Sequence, residues 1–223
     1  MVVLNEHYEP EADSIMSVAI LHILYVIAIS AEAVTAALAA GRRSMDWVGV
    51  CLLAAVTALG GGTVRDMALG HHPLVWVAHP EYLAVVIVAA LLTIAIARIV
   101  HKLRRLFLFL DAVGLVVFTI LGCNVAMDME LPVLVVVVAG MITGCVGGVL
   151  RDMLCSEIPL LFRSELYASV SVVTGVIYVG GLYLQLPHDA VMFLAMALGL
   201  ALRLLALRFD WNMPKFVYEK ELH

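Results

Sequence analysis

The sequence predicts an all-α integral membrane protein, with seven transmembrane helices arranged as two inverted three-helix repeats and one additional helix. Three observations favour this fold class: an extremely apolar composition, seven separate hydrophobic segments, and one short motif that occurs twice. Of the 223 residues, 64% are hydrophobic and 14% are charged, and the mean hydropathy is +1.05. Soluble domains contain about 45–50% apolar and about 25% charged residues. Lipid must therefore solvate part of this chain.

Seven apolar segments account for most of the chain and leave only short loops between them. Each is close to the roughly 20 residues that a helix needs to span a bilayer. We therefore predict a single transmembrane domain over residues 1–223, with no room for a separate soluble domain. The segments lie at about 15–40, 47–69, 81–100, 106–127, 132–154, 166–186 and 189–208.

The positions of Lys and Arg predict the orientation of these segments. The loops after the first, third and fifth segments and the C-terminal tail contain Lys or Arg, whereas the N-terminal arm and the other loops contain neither. Because basic loops are retained in the cytoplasm, we predict an N-terminus outside the cell and a cytoplasmic C-terminus. The N-terminal arm is acidic and lacks the basic start of a secretory signal, so we expect the first segment to be retained.

A motif repeated at an offset of 86 residues predicts two copies of one structural unit. The string GGTVRDM at 61–67 matches GGVLRDM at 147–153, and the same offset pairs Pro73 with Pro159. Three helices per copy is an odd number, so the second copy must enter the membrane from the opposite side, which gives inverted topology. The predicted units are a first repeat over about 15–100, a second repeat over about 106–186, and a seventh helix over 189–208.

Glycines cluster in the second and fifth segments, where they predict an interruption of the helix. Glycine inside a helix costs roughly 1 kcal/mol relative to alanine. An interrupted helix exposes backbone groups that only protein or a water-filled cavity can satisfy, and such interruptions in inverted halves point to a permeation or binding site. Close helix packing is the alternative, since Gly140, Gly144 and Gly148 recur every four residues. The predicted kink residues are Gly60, Gly61, Gly62, Gly147 and Gly148.

Ionisable residues inside the apolar segments form a second candidate set, because a charge at the bilayer centre costs at least a few kcal/mol. The two Arg-Asp pairs follow the glycines after two intervening residues and either shape a pore or tie their helices to neighbouring ones. Asp111 lies close in sequence to basic residues of a predicted cytoplasmic loop, so the alternative is that it lies at the membrane–water interface and not in a pore. Glu32 should face protein or water, where it could attract a cation or accept a proton. The predicted pore-associated polar residues are Glu32, Arg65, Asp66, Asp111, Arg151 and Asp152.

Several other chemistries lack a sequence signal. There is no nucleophile–base set, phosphate-binding loop or nucleotide motif, and no basic tract suited to nucleic acid. We therefore expect neither an enzyme nor a nucleic-acid-binding protein. The four cysteines have no CxxC spacing. His71, His72 and His79 share one predicted loop, but Pro73 disrupts a regular ligand geometry, so we expect no metal site and no cofactor.

The doubled motif carries a resemblance to a known family. The strings GGGTVRDMALGHHP at 60–73 and GGVLRDMLCSEIP at 147–159, with RSELYAS at 163–169, resemble the bacterial members of the trimeric intracellular cation (TRIC) channel family, which also carry the label of glycine transporters. The resemblance extends from the first to the seventh segment. It implies a homotrimer in the lipid of the bacterial inner membrane, with a pore in each protomer between kinked second and fifth helices. It also implies permeant monovalent cations, potassium foremost.

The first helices of the two repeats depart from symmetry. We align Asp111 with Ile20, and Glu32 with Cys123, so neither acid has an acidic counterpart. Three functions stay open: a potassium-permeable channel, a secondary transporter of a small zwitterion such as glycine, and a membrane scaffold that transports nothing. Inverted repeats with broken helices are usual in transporters, so it is the family resemblance that favours the channel.

Overall fold

The computed structural model describes residues 12–97, 103–163 and 166–211, without the side chains of 12–18 and 163. Both chain ends and the segment 98–102, on which part of the orientation prediction depends, lie outside these ranges. Within them the chain forms only helices and the turns that join them. The helices are α1 (Ala12–Arg42), α2 (Trp47–Leu69), α3 (Val75–Ala78), α4 (Glu81–Ile96), α5 (Leu103–Asp128), α6 (Val133–Leu154), α7 (Leu160–Arg163), α8 (Tyr167–Tyr183) and α9 (His188–Phe209).

The long helices correspond to the seven apolar segments, and α3 and α7 are single turns of four residues within loops. Five helices, α1, α2, α5, α6 and α9, are long and apolar enough to cross a membrane by length and composition. The other two, α4 and α8, are also apolar but contain only 16 and 17 residues. The predicted all-helical membrane architecture is therefore confirmed.

The long helices pack as two groups, with α1, α2 and α4 in one and α5, α6 and α8 in the other. The groups meet where α2 crosses α6 and where α1 lies along α5, while α9 packs on α5 and α8. Small residues permit the close contact of α5 with α6: a Cβ on Gly140 would lie 2.7 Å from the carbonyl oxygen of Thr119, and one on Gly144 would lie 2.6 Å from that of Leu115. The centre of the molecule is thus formed by α1, α2, α5 and α6.

Left-handed residues recur at the offset of 86 seen in the sequence. Ser44 and Glu130 follow α1 and α5, both with φ of 55°. Gly70 and Ser156 follow α2 and α6, with φ of 69° and 54°. Equivalent backbone hydrogen bonds close the turns, at 3.2 Å in the first pair and at 2.9 Å in the second. The turns after α1 and α5, and those after α2 and α6, are therefore related by the same offset of 86 residues.

This offset corrects the alignment of the first helices that we made from sequence, which included a shift of about five residues. Because α1 and α5 run as unbroken helices into equivalent turns, the offset of 86 holds along them. Asp111 then corresponds to Tyr25, and Glu32 corresponds to Phe118. The apolar composition of both helices is so uniform that sequence alone could not fix their register.

Candidate functional site

The two Arg-Asp pairs are buried inside the protein. Arg65 Nε and Nη2 donate to Asp66 Oδ1 at 2.9 and 2.6 Å, and Arg151 Nε donates to Asp152 Oδ1 at 2.9 Å. None of the four residues is more than 7% exposed. A buried charge is tolerated when it is paired and hydrogen-bonded. Each helix therefore carries its own neutralised pair into the interior.

A larger group of polar side chains surrounds Arg151 near the C-terminal end of α6. Its Nη1 atom donates to Asp111 Oδ1 on α5 at 2.9 Å and to Thr35 Oγ1 on α1 at 3.0 Å. The same nitrogen lies 3.6 Å from Glu32 Oε2. Arg151 therefore connects α1, α5 and α6. We call this group the Arg151 cluster, and its members are Glu32, Thr35, Asp111, Arg151 and Asp152.

Neighbouring groups complete the Arg151 cluster. Tyr167 Oη donates to Asp111 Oδ1 at 3.4 Å, and the N–H of Leu160 donates to Asp152 Oδ2 at 3.0 Å. The guanidinium carbon of Arg151 lies 4.5 Å from the centre of the Phe107 ring, a cation–π distance. Three carboxylates thus surround one guanidinium, and Asp111 Oδ2 is buried without a hydrogen-bond partner among the described residues.

The corresponding group around Arg65 has a different composition. His71 Nδ1 lies 3.2 Å from Asp66 Oδ1, the oxygen that Arg65 also contacts. Arg65 Nη1 reaches Thr143 Oγ1 on α6 at 3.5 Å. Tyr25, the counterpart of Asp111, lies within electrostatic range of Arg65 and Asp66. We call Arg65, Asp66, His71 and Thr143 the Arg65 cluster; it holds one carboxylate where the Arg151 cluster holds three.

The helices α2 and α6 cross between the two clusters, where glycine permits contact between backbones. A Cβ on Gly61 would overlap the carbonyl oxygen of Thr143, and a Cβ on Gly147 would overlap that of Thr57. The two contacts are related by the offset of 86 residues. Both helices are continuous, so the backbone break that we predicted at these glycines is absent, and close packing offsets the cost of glycine; a kink at these positions stays a prediction. A role in a pore stays a prediction.

The remaining predicted kink glycines, Gly60, Gly62 and Gly148, face side chains instead of backbone. A Cβ on Gly62 would have room, since the nearest atom would be the Nη2 guanidinium nitrogen of Arg65 at 3.7 Å. A Cβ on Gly148 would lie 3.0 Å from Tyr167 Oη and 3.6 Å from Arg151 Nη2. Gly148 therefore borders the Arg151 cluster directly.

The loop histidines do not converge on one site. His71 contacts Asp66, whereas His79 Nδ1 lies 3.0 Å from Glu81 Oε1. In the part of the chain that the structure describes, no group of three His, Cys, Asp or Glu residues could hold a metal ion.

An apolar groove of about 730 Å³ lies apart from both clusters, between α1, α4 and α5. Val88, Leu92 and Leu106 are typical of its lining, and its polar side chains are Ser30 and Thr93. Because no charged side chain lines it, the groove suits a lipid chain better than an ion. We therefore assign the candidate site to the two clusters and not to this larger space.

Three residues that contact the predicted ones were not among the candidates from the sequence. Thr35 lies three residues after Glu32 and so on the same helix face, a spacing that could have revealed it. Tyr167 and Thr143 are 56 and 78 residues from their charged partners. No local pattern signals contacts at such separations.

Comparison with known proteins agrees with this architecture. A protein-family model described as "Glycine transporter" matches residues 22–98 and residues 108–182. The UPF0126 inner membrane protein YadS of Escherichia coli K12 is 39% identical over 199 residues, which are 88% of this chain and 96% of that protein. A UPF0126 membrane protein of Vibrio cholerae is 35% identical over 94% of this chain and 88% of its own length.

Solved structures of channels have the same fold. The TRIC trimeric intracellular cation channel orthologue from Rhodobacter sphaeroides superposes with a TM-score of 0.83 at 32% identity, covering 86% of this chain and all of that one. A prokaryotic TRIC channel crystallised in 0.5 M KCl gives a TM-score of 0.80 at 29% identity, over 88% of this chain and all of the other. These close matches are membrane channels and not enzymes, as the sequence led us to expect.

Proposed function

Because the chain belongs to the family whose model is described as "Glycine transporter", and whose relatives of solved structure are prokaryotic TRIC channels, we propose that it is a membrane channel for monovalent cations, potassium foremost. Each protomer contains its own pore near the crossing of α2 and α6. The protein assembles as a homotrimer surrounded by lipid, as the description of the Rhodobacter sphaeroides orthologue as trimeric suggests.

The observation that carries this proposal is a line of buried polar side chains through the centre of a largely apolar protein. The Arg65 and Arg151 clusters lie on opposite sides of the α2–α6 crossing, and Thr57 and Thr143 are buried at the crossing itself. Ionisable side chains inside a membrane are costly and mark ion pathways. The residues proposed to border this pathway are Gly60, Gly61, Gly62, Gly147, Gly148, Glu32, Arg65, Asp66, Asp111, Arg151 and Asp152.

The excess of carboxylates in the Arg151 cluster supports cations as the permeant species. Asp111, Asp152 and Glu32 all lie near the same guanidinium, so direct contacts leave more acidic than basic groups. A cation near these oxygens would be attracted, whereas an anion would be repelled. Because α2 and α6 have no break in mid-helix, side chains rather than freed backbone groups would contact the cation.

We further propose seven membrane-spanning helices in inverted repeats. The family model matches two stretches whose starts are 86 residues apart, and both the turns and the glycine contacts recur at that offset. In this arrangement the shorter apolar helices α4 and α8 also span the membrane. The protein lies in a bacterial inner membrane, as does its Escherichia coli relative by name, with the N-terminus outside and the C-terminus in the cytoplasm.

A planar-bilayer recording of the purified protein under a potassium gradient tests this function. We expect unitary current steps that reverse near the potassium equilibrium potential. A carrier turns over too slowly to give such steps. Macroscopic flux without unitary steps, or no flux of any monovalent cation, would contradict the channel.

The alternative function is a secondary transporter of a small zwitterion such as glycine, which the description of the family model favours. The continuous course of α2 and α6 weighs against it, because a substrate carboxylate would need amide groups freed by a helix break. Uptake of radiolabelled glycine into proteoliposomes distinguishes the two. Saturable uptake that is absent from protein-free liposomes would establish the transporter.

A further inference from the structure

The end of α2 carries a histidine in contact with the buried Arg-Asp pair. His71 follows the helix-ending residue Gly70, its side chain is 37% exposed, and its Nδ1 atom lies 3.2 Å from Asp66 Oδ1. Asp66 itself is fully buried. The oxygen near His71 already accepts both hydrogen bonds from Arg65, while Asp66 Oδ2 is buried with no hydrogen-bond partner in the described part of the chain. One carboxylate thus faces an arginine and a solvent-accessible imidazole.

The equivalent position in the second half is occupied differently. At the offset of 86, His71 corresponds to Glu157, and the backbone N–H of each donates to the carbonyl of its own aspartate at 2.9 Å. Glu157 turns away and pairs with Arg43 at 3.1 Å, and the second oxygen of Asp152 accepts the N–H of Leu160. At the end of α6 the aspartate is therefore held by an arginine and a backbone N–H. At the end of α2 the aspartate instead contacts a histidine, a residue whose charge can change with pH.

We propose that His71 and Asp66 form a proton-binding site, and that acidification at this end of the molecule reduces cation flux. The inference rests on the proposed channel function. With His71 neutral, Arg65 and Asp66 sum to no net charge. A proton on His71 adds one positive charge beside the polar line and draws Asp66 away from Arg65, so both changes raise the barrier to an entering cation.

The titratable groups on α1 and near the start of α4 contact one another at this end. On α1, His22 Nδ1 lies 2.9 Å from Tyr82 Oη of α4, and Tyr25 also faces Tyr82. His79 pairs with Glu81 at the start of α4. The described helix α3 contains only Val, Trp and Ala, α6 offers Thr143 at this end, and α5 ends at Asp128, which lies near Tyr178. His71 is thus the histidine that contacts an Arg-Asp pair in the described ranges.

Single-channel recording with separate pH control on the two sides tests the site. Histidine changes charge between about pH 5 and 8, so we compare about pH 7.5 with about pH 5.5. We expect the wild-type current to fall by about threefold upon acidification of one side only, a size set by one added charge at short range. His71→Gln should abolish the fall, and His71→Lys should give low current at both pH values. The matched control His72→Gln should behave as the wild type does.

Two results would overturn the proposal: a fall in current that persists in His71→Gln, or an equal fall from both sides. If the wild type passes no current at all, the channel function fails and the proton site is still testable. ¹⁵N NMR of the His71 ring in micelles then compares the wild type with Asp66→Asn, in which the Nδ1 resonance should move because its contact with the Asp66 carboxylate is lost. Identical ring spectra in the two proteins would exclude the site.

Discussion

Gly61 lies against the carbonyl oxygen of Thr143, and this contact sets how closely α2 and α6 approach. The absence of a side chain on Gly61 lets backbone meet backbone at the crossing. The same relationship recurs between Gly147 and Thr57. Two close contacts related by one offset hold the two halves of the molecule together at its centre.

Substitution of Gly61 by alanine should destabilise the fold, while the same change at Gly62 should not. A methyl group at Gly61 overlaps a backbone oxygen that cannot rotate away, and overpacking of this kind costs about 1–3 kcal/mol. At Gly62 the nearest atom would be 3.7 Å away, so the better helix propensity of alanine should add up to about 1 kcal/mol of stability. Thermal unfolding in detergent measures both variants; equal melting temperatures would contradict the packing role of Gly61.

Replacement of Arg151 by methionine should cost far more stability than replacement of Arg65. Loss of Arg151 leaves Glu32, Asp111 and Asp152 without their shared cation, and breaking a buried ion pair costs about 3–5 kcal/mol. Loss of Arg65 strands one carboxylate, which retains its contact with His71. Denaturation in mixed micelles compares the two free energies of unfolding. A smaller loss for Arg151→Met than for Arg65→Met would refute the unequal roles.

Glu32→Gln should lower potassium current without unfolding the protein. The amide oxygen of glutamine can still accept the hydrogen bond that Thr35 donates to Glu32 Oε2 at 2.9 Å, whereas the ionisable carboxyl group near the proposed pathway is lost. A unit charge several ångströms from an ion in water changes its energy by about 1 kcal/mol, which corresponds to about a threefold to tenfold change in current. The control is Glu157→Gln, an acidic residue whose partner Arg43 is 41% exposed. Unaltered conductance in Glu32→Gln would remove Glu32 from the pathway.

The equivalent turn residues Ser44 and Glu130 should lie on opposite sides of the membrane. Both are exposed and share φ of 55°, so cysteine at either site meets the same backbone. The native thiols at 123, 145 and 155 are buried, and Cys51 is partly buried, so all four are first changed to alanine. In intact cells, a membrane-impermeant maleimide should label Glu130→Cys and spare Ser44→Cys. The reverse pattern would invert the proposed topology.

The helices and the repeat could be read from sequence because both depend on local or duplicated patterns. A long apolar segment predicts a membrane-spanning helix because lipid is its solvent. The repeat is recognised from the motif GG-x-x-RD, which occurs twice at one offset, without knowledge of the tertiary structure. The structural role of the glycines could not be predicted in the same way. Glycine lowers helix stability whether it marks a broken helix or a close helix crossing, so the sequence pattern is the same for both. Only the position of Thr143 opposite Gly61 distinguishes them.

The composition of the charged clusters was equally hidden from sequence. Arg65 and Arg151 occupy matching motifs, yet their surroundings differ because α1 places Tyr25 beside one pair and α5 places Asp111 beside the other. Which side chain lies near each Arg-Asp pair depends on the register of α1 and α5. The turns that follow these helices fix this register, whereas their uniformly apolar composition does not. Sequence identified Asp111 and Glu32 as candidates without indicating that they meet at one guanidinium.

The contact between the backbones of α2 and α6 also acts as a mechanical stop. Interlocked side chains can change rotamer and let two helices approach or separate by similar amounts. Two backbones already at van der Waals distance cannot move closer, because repulsion rises steeply, and they hold no rotamers that could yield. Thermal motion at the crossing is therefore one-sided. The separation of α2 and α6 in the resting structure is the smallest that they can reach. Every displacement along the line between them widens the centre of the protein.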